Sequence, residues 1–517
     1  MARISFLGAA LAVLLACSIA PPAAALLDSI QVPDPTCGAP STTYVQANSK
    51  TVKRGIINPE FPSVAHIVSG DTITMECLTG GITNDYAKMI KGDVGAEELM
   101  AWPSNATAST KPLPILPGGA GHIITGPLSV CGALPGDVLK IEILSLSPRK
   151  NPLTGKAYGI NSQNGPYIPL NVKNADGTNV STTSSSIIYE VDFDEYGGWG
   201  QPIYGFFPPS LIPPDNGTVV TSATVPHKTN IGVKSSATAT GFDPVEYPPG
   251  FQSTLNQSTD IQYMDASFNW RIPLRPFLGT IGVTPANAAN YINGAPNGTL
   301  GASTTAPSRF GGNMDNWRVG TGSTLYVQVE VPEAKFFFGD CHAAQGDAEI
   351  SGTAIEASLT AVYRISVLPQ ATLPNALKNL TFPIVETKDH IDIQGFALNN
   401  YLDELAVPSQ IAQFGRSNDK ALANAYQNTR NFLVKGFGMQ EREALSLIST
   451  GVDFGIAQCV DSNWGVHGLI PKSIFSSKSA AGGGLFSGPA SRKLKGQDQE
   501  EEPMDLVSIL RRFEAKK

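Results

Sequence analysis

Charge is scarce in this sequence: Asp, Glu, Lys and Arg make up 15% of its 517 residues, against 42% hydrophobic residues. That balance belongs to a packed globular chain and excludes a disordered one. Positive charge is shortest of all, since 36 Lys and Arg face 44 Asp and Glu for a net charge of -8. No basic stripe runs along the chain, so no nucleic acid is expected as a partner. Apolar runs of membrane-spanning length are missing beyond the first 25 residues, so the mature chain is expected to have no membrane span. Cysteine is sparse as well. Beyond that start only Cys37, Cys77, Cys131, Cys341 and Cys459 remain, widely spaced, with no CxxC and no Cys/His zinc spacing. A disulfide-dense scaffold is thereby excluded, and the odd number leaves at least one cysteine unpaired or paired between chains.

What is present divides into four textures. Residues 1–25 read as a secretory signal: Arg3, an apolar run from Phe6 to Ala20, and small residues up to a cleavage point near Ala25. Six N-x-S/T sequons, at Asn105, Asn179, Asn216, Asn256, Asn297 and Asn379, are compatible with a secreted chain or one retained in an organelle. From residue 45 to 475 short β-prone runs such as "TITMECL" and "DVLKIEILSLS" alternate with Gly, Pro and Asn turns. The expected fold is therefore mainly β, packed sheets in a sandwich-like or barrel-like body, with residues 174–310 as loop-rich insertions. A small helical hairpin follows, "SNDKALANAYQNTRNFLVKG" stopping at Gly436 and "MQEREALSLISTG" stopping at Gly451. The tail, 476–517, is a linker and then a short helix with Leu506, Ile509, Leu510 and Phe513 in one stripe. Folding back onto the body is the expected fate of that stripe, and docking to a partner or membrane surface is the alternative.

One stretch concentrates the chemistry, "FFFGDCHAAQGDAEISGTAIEAS" at 336–358. Its aromatic start favours a strand, on which Asp340 and His342 share a face and Cys341 points away. An aspartate and a histidine side by side suit a divalent metal with open coordination positions, and equally suit a hydrogen bond within a turn. Gln345, Asp347, Glu349 and Glu356 add oxygens nearby, and a carboxylate beside activated water is the usual source of a general base. Further polar islands are "TGGITNDYAK" with Asn84 and Asp85, "GGAGHIITGP" with His122, and "SRFGGNMDNW" with Asn313 and Asp315.

Taken in order, "GGITND", "HIITGPLSVCGALPGDVLKIEIL", "PFLGTIGVTPA", "GGNMD", "GSTLYVQVEVPEA" and "GDCHAAQGDAEISGTAIE" resemble the successive motifs of the acetamidase/formamidase family. The C-terminal "LVKGFGMQEREALSLISTGVDFGIAQCVDSNWGVHGLIPKSIF" is similar to that family's closing helix and strand, so the resemblance covers about residues 45–475. It implies hydrolysis of formamide or acetamide to ammonia and carboxylic acid, a mostly β fold, a homo-oligomer, and a divalent metal, zinc first and calcium as the alternative. Asp340 and His342 match the family's GD-x-H motif, Asp315 its GGN-x-D, His122 the histidine before TGP, and Glu349 the glutamate of QGD-x-E. Ala348 departs from the glycine of many members, and Cys341 occupies a variable position. The mechanism expected is a metal held by Asp315, Asp340 and His342 that lowers the pKa of a bound water to about 7. Glu349 is the expected base, Glu356 its reserve, and His122 a further ligand or oxyanion donor. Asn84, Asp85, Asn313, Gln345 and Asp347 are the expected substrate contacts. Three rivals stand beside this: a cysteine amidase using Cys341, a secreted binding or structural β scaffold that has lost the chemistry, and a related hydrolase acting on cyclic or larger amides.

Overall fold

The computed structural model describes residues 42–80, 86–99, 121–163, 185–194, 197–206, 270–287, 301–378, 380–405, 410–475 and 505–514, with short pieces at 40, 176–177, 230–231 and 263–264. The expected signal segment, Asn84, Asp85 and all six sequons lie outside the described residues.

Two large sheets dominate. The eleven-stranded sheet includes β1 (Ile123–Cys131), β2 (Phe277–Val283), β3 (Phe336–Ala344) and β4 (Ile355–Ala357), and β3 pairs antiparallel with each of the other three. The facing nine-stranded sheet includes β5 (Leu359–Leu368), paired with Val138–Pro148 and Thr72–Glu76, and ends on β6 (Asp453–Gln458). Alternating residues of both sheets interdigitate in one core, with Ile141, Ile143, Tyr363 and Ile365 on one side and Leu128, Val130, Phe336 and Phe338 on the other. The Tyr363 ring meets Phe336 and Phe338 edge-on, at centroid distances of 5.4 and 5.2 Å.

β3 does not keep a regular alternation. Phe336 and Phe338 face the core, and so does Cys341, which lies beside Cys77. An even-to-odd change of facing residue needs an extra step in the pleat, and it falls at Asp340, whose φ is 49°. Gly339 is required there, because a Cβ would sit 2.1 Å from the carbonyl oxygen of Ile123 on β1. Cys131 is disulfide-bonded, whereas Cys77, Cys341 and Cys459 are free and buried.

The 174–310 region is more than decoration. Its described parts include the strands Ser185–Asp194 and Gly197–Phe206 as well as β2, all within the eleven-stranded sheet. The helical hairpin consists of α1 (Asn418–Phe437) and α2 (Glu441–Gly451), with α1 lying over the nine-stranded sheet. The Ser417 side chain accepts the Lys420 N–H at its start, but Gly438, not Gly436, ends it, in the left-handed conformation at φ 66°. Gly436 instead packs closely: a Cβ there would lie 2.9 Å from both Ala376 and Leu510. Leu510 belongs to α3 (Leu506–Glu514), the tail helix, which folds back with Leu506, Ile509 and Leu510 buried in the same cluster as α1. No helix among the described residues is long and apolar enough to cross a membrane.

Two outcomes test this packing. Phe338→Ala should cost about 3–5 kcal/mol of unfolding free energy by chemical denaturation, because the hole lies against a fully buried ring. Asp392, buried on the nine-stranded sheet and bonded by the Asn316 side-chain amide at 2.8 Å, has its pKa pushed up by burial to about 7. A raised pKa favours the protonated folded form, so this contribution is complete below about pH 4 and lost as pH rises through 7. The Tm of the wild type relative to Asp392→Asn should therefore fall between about pH 5 and pH 8.

Candidate active site

Beyond its bend, β3 turns Asp340 and His342 to the side away from the aromatic core. His342 Nε2 lies 3.5 Å from Asp340 Oδ2 and 3.2 Å from Glu356 Oε2, Glu356 being its cross-strand partner on β4. Its Nδ1 donates to Gln345 Oε1 at 3.1 Å and stands 3.7 Å from Asp315 Oδ1. Phe277 on β2 supports the imidazole edge-on at 4.8 Å. His122, immediately before β1, brings Nδ1 to 2.8 Å from Asp340 Oδ1 and remains a quarter exposed.

Asp315 and Glu356 are oriented by neutral groups. Asn313 Nδ2 donates to Asp315 Oδ2 at 3.0 Å, and the Thr280 hydroxyl in turn fixes Asn313. Gln345 Nε2 donates to the Asp315 carbonyl at 2.8 Å and to that of Ala457 on β6 at 3.4 Å. Glu356 accepts from the Thr79 hydroxyl at 3.2 Å and from the Ala354 N–H at 3.1 Å. Glu349 follows Ala348, and both have positive φ, 49° and 77°. At Ala348 that angle is one that glycine adopts freely and alanine only under strain. Backbone bonds from β6 and its extension hold the pair, Ala348 N–H to the Ile456 carbonyl at 2.9 Å and Cys459 N–H to the Ala348 carbonyl at 3.2 Å.

A further carboxylate, Asp461, joins this group and was missed in the sequence. It shares ligand distance with Asp315 and Glu349, all three buried, just as Asp315, Asp340 and His342 do, and as His342, Glu349 and Glu356 do. The only hint was its place in "CVDSNWG", whose Ser462 takes a turn conformation at φ 63°.

Five buried carboxylates thus crowd two imidazoles. Burial and the Asp315 charge push the carboxyls of Glu349 and Asp461 well above their usual range, and burial raises Glu356 too. Asp340 is the exception: burial opposes its charge, but His122 and His342 hold it far below the usual range. Burial likewise disfavours charge on both histidines, and the surrounding carboxylates overcome it and raise their pKa values. Asp315 Oδ1, His342 Nε2, Glu349 Oε2 and Asp461 Oδ2 are buried without a hydrogen-bond partner. Converging unpaired donors amid excess negative charge fit a divalent cation.

Of the expected site residues, Asp315, Asp340, His342, Glu349, Glu356, His122 and Gln345 converge. Asn313 lies behind Asp315 as a support. Asp347 stands apart, its carboxylate taken by Trp317 Nε1 at 2.8 Å and Arg318 at 3.4 Å. Cys341 is on the wrong face for catalysis, fully buried, with its thiol pushed up by burial, which removes the thiolate a cysteine amidase needs.

The fold is that of solved acetamidases. The enzyme of Bacillus halodurans aligns with a TM-score of 0.50 at 19% identity, over 84% of this chain and 98% of that one. A Schizosaccharomyces pombe chain assigned as a formamidase is 25% identical over 354 residues, 66% of this chain and 72% of its own. The formamidase of Methylophilus methylotrophus is 23% identical over 421 residues, 78% and 84% of the two chains. The family model for acetamidase/formamidase matches residues 117–477, and the chain belongs to that family. It is accordingly a hydrolase of linear amide C–N bonds.

Gly279 on β2 is a tight steric constraint directly against the site's carboxylates. A Cβ there would come 2.3 Å from Asp315 Oδ1 and 2.7 Å from the Asp340 carbonyl. Gly279→Ala should keep its circular dichroism spectrum and lose about 100-fold in amide hydrolysis, since small displacements of reacting groups cost that much.

Proposed function

We propose that this site hydrolyses a primary amide with water, Glu349 acting as the proton carrier, in the manner of a formamidase or acetamidase. The observation that carries the reading is Glu349 itself: a buried carboxyl with an unpaired oxygen, beside Asp315 and His342 and also on the wall of an open cavity. Burial and the Asp315 charge raise its pKa, which strengthens it as a base for the attacking water's proton, to be returned to the departing nitrogen. His122, kept protonated by Asp340, donates toward the developing oxyanion. Glu356, bound by Thr79, Ala354 and His342, orients the imidazole rather than serving as base.

Asp315, Asp340 and His342 would hold the cation, with Asp461 as a further oxygen donor. Zinc suits the imidazole better than calcium, which prefers an all-oxygen shell. When bound, it supplies Lewis-acid polarisation and lowers the pKa of water. The signal-like start supports export, and the family resemblance supports a homo-oligomer.

Glu349→Gln should retain its metal content and lose about 10²–10⁴-fold in ammonia release from formamide. Full turnover by that variant would remove Glu349 from the mechanism. Dialysis against a chelator should stop hydrolysis, and added zinc should restore it.

A further inference from the structure

The wall of the site opens onto a cavity of about 680 Å³, far larger than formamide or acetamide requires. Gln345 and Glu349 form its boundary with the carboxylate cluster, while Tyr189, Ile272, Leu274, Ile355 and Ile350 line the rest. Several of its polar groups are held by protein partners. Arg275 lies over the Trp317 ring at 4.2 Å and donates to the Gln345 carbonyl, and Asp347 is held by Trp317 and Arg318. Most of what remains for a ligand is apolar surface, including Ile350 at the mouth, 54% exposed.

We infer that this cavity takes the acyl chain of the amide, and that the preferred substrate is an uncharged primary amide with an apolar chain of roughly four to eight carbons, the size that a pocket of this volume accommodates. The inference rests on the amidase reading and extends it to the substrate class. With the carbonyl carbon at Glu349 and His342, the chain runs over Ile355 and Leu274 toward Ile350. Water adds to the carbonyl, the C–N bond breaks, and Glu349 moves one of the water's protons to nitrogen, giving ammonia and the fatty acid. Nothing else is consumed. Each methylene leaves water for the lining, so selectivity builds up along the chain rather than at the reacting atoms.

The test is kcat/KM for ammonia release by the purified protein from formamide, acetamide, butanamide and hexanamide. The expected result is a rise of roughly fourfold per methylene buried, about 0.8 kcal/mol each, until the cavity is filled. Leu274→Trp, which fills the cavity, and Ile350→Asp, a change at an exposed position that folding tolerates, should each reduce the ratio of hexanamide to formamide at least tenfold. A wild-type ratio at or below one, with formamide still hydrolysed, overturns the inference and leaves the amidase reading intact. Silence on all four amides overturns both.

Discussion

Phe336 and Phe338 clamp the Tyr363 ring between the sheets, and the strand that carries them must then turn over to send Asp340 and His342 the other way. The turnover is local and strained. Asp340 has positive φ, as do Asp315 and Glu349, so three of the five clustered carboxylates sit on backbone that side-chain-bearing residues avoid. Such conformations cost of the order of 1–3 kcal/mol each and persist only where the surroundings dictate them. At Asp340 the core dictates it. Burying each Phe stabilises by about 1.5–3 kcal/mol, so the aromatic clamp is of the right size to hold the bend.

Electrostatics adds a second load to the same strand. Two imidazoles cannot neutralise Asp315, Asp340, Glu349, Glu356 and Asp461, and no arginine or lysine among the described residues is paired with any of them. The response is visible in the shifts: burial and neighbouring carboxylates push Glu349 and Asp461 up, burial raises Glu356 even though it touches His342, and Asp340, flanked by two imidazoles, is pulled down. Neutral amides and hydroxyls from Asn313, Gln345, Thr280 and Thr79 fix geometry without changing that charge balance. A site built so depends on what binds there to complete its charge, and this is the physical basis for assigning it a cation.

Much of this could be read from the sequence, for reasons that vary by element. The β body was legible because β-branched and aromatic runs are local signals, and the hairpin because Ser417 caps α1 locally. Asp340 and His342 were legible because residues two apart share a strand face, although the bend before them was not. Gly436 was misread as a stop because close packing against a distant Leu510 leaves no trace beside it, whereas Gly438 carries the actual turn. β2 was hidden in the 174–310 region because Gly279 and Gly282 look like loop residues. They are glycines because Asp315 and the Phe310 carbonyl press on them. Asp461 escaped for a related reason: only folding brings it beside Asp315, 146 positions earlier in the chain.

The late origin of that last group also bears on how the enzyme comes into being. The β6 segment supplies the Ala457 carbonyl to Gln345, the ladder that fixes Ala348 and Glu349, and Asp461 at its end. A nascent chain on the ribosome can form the aromatic clamp once β5 has emerged, but Glu349 stays unanchored until some hundred residues more have been made. Assembly of the carboxylate cluster is thereby deferred until most of the chain has been made.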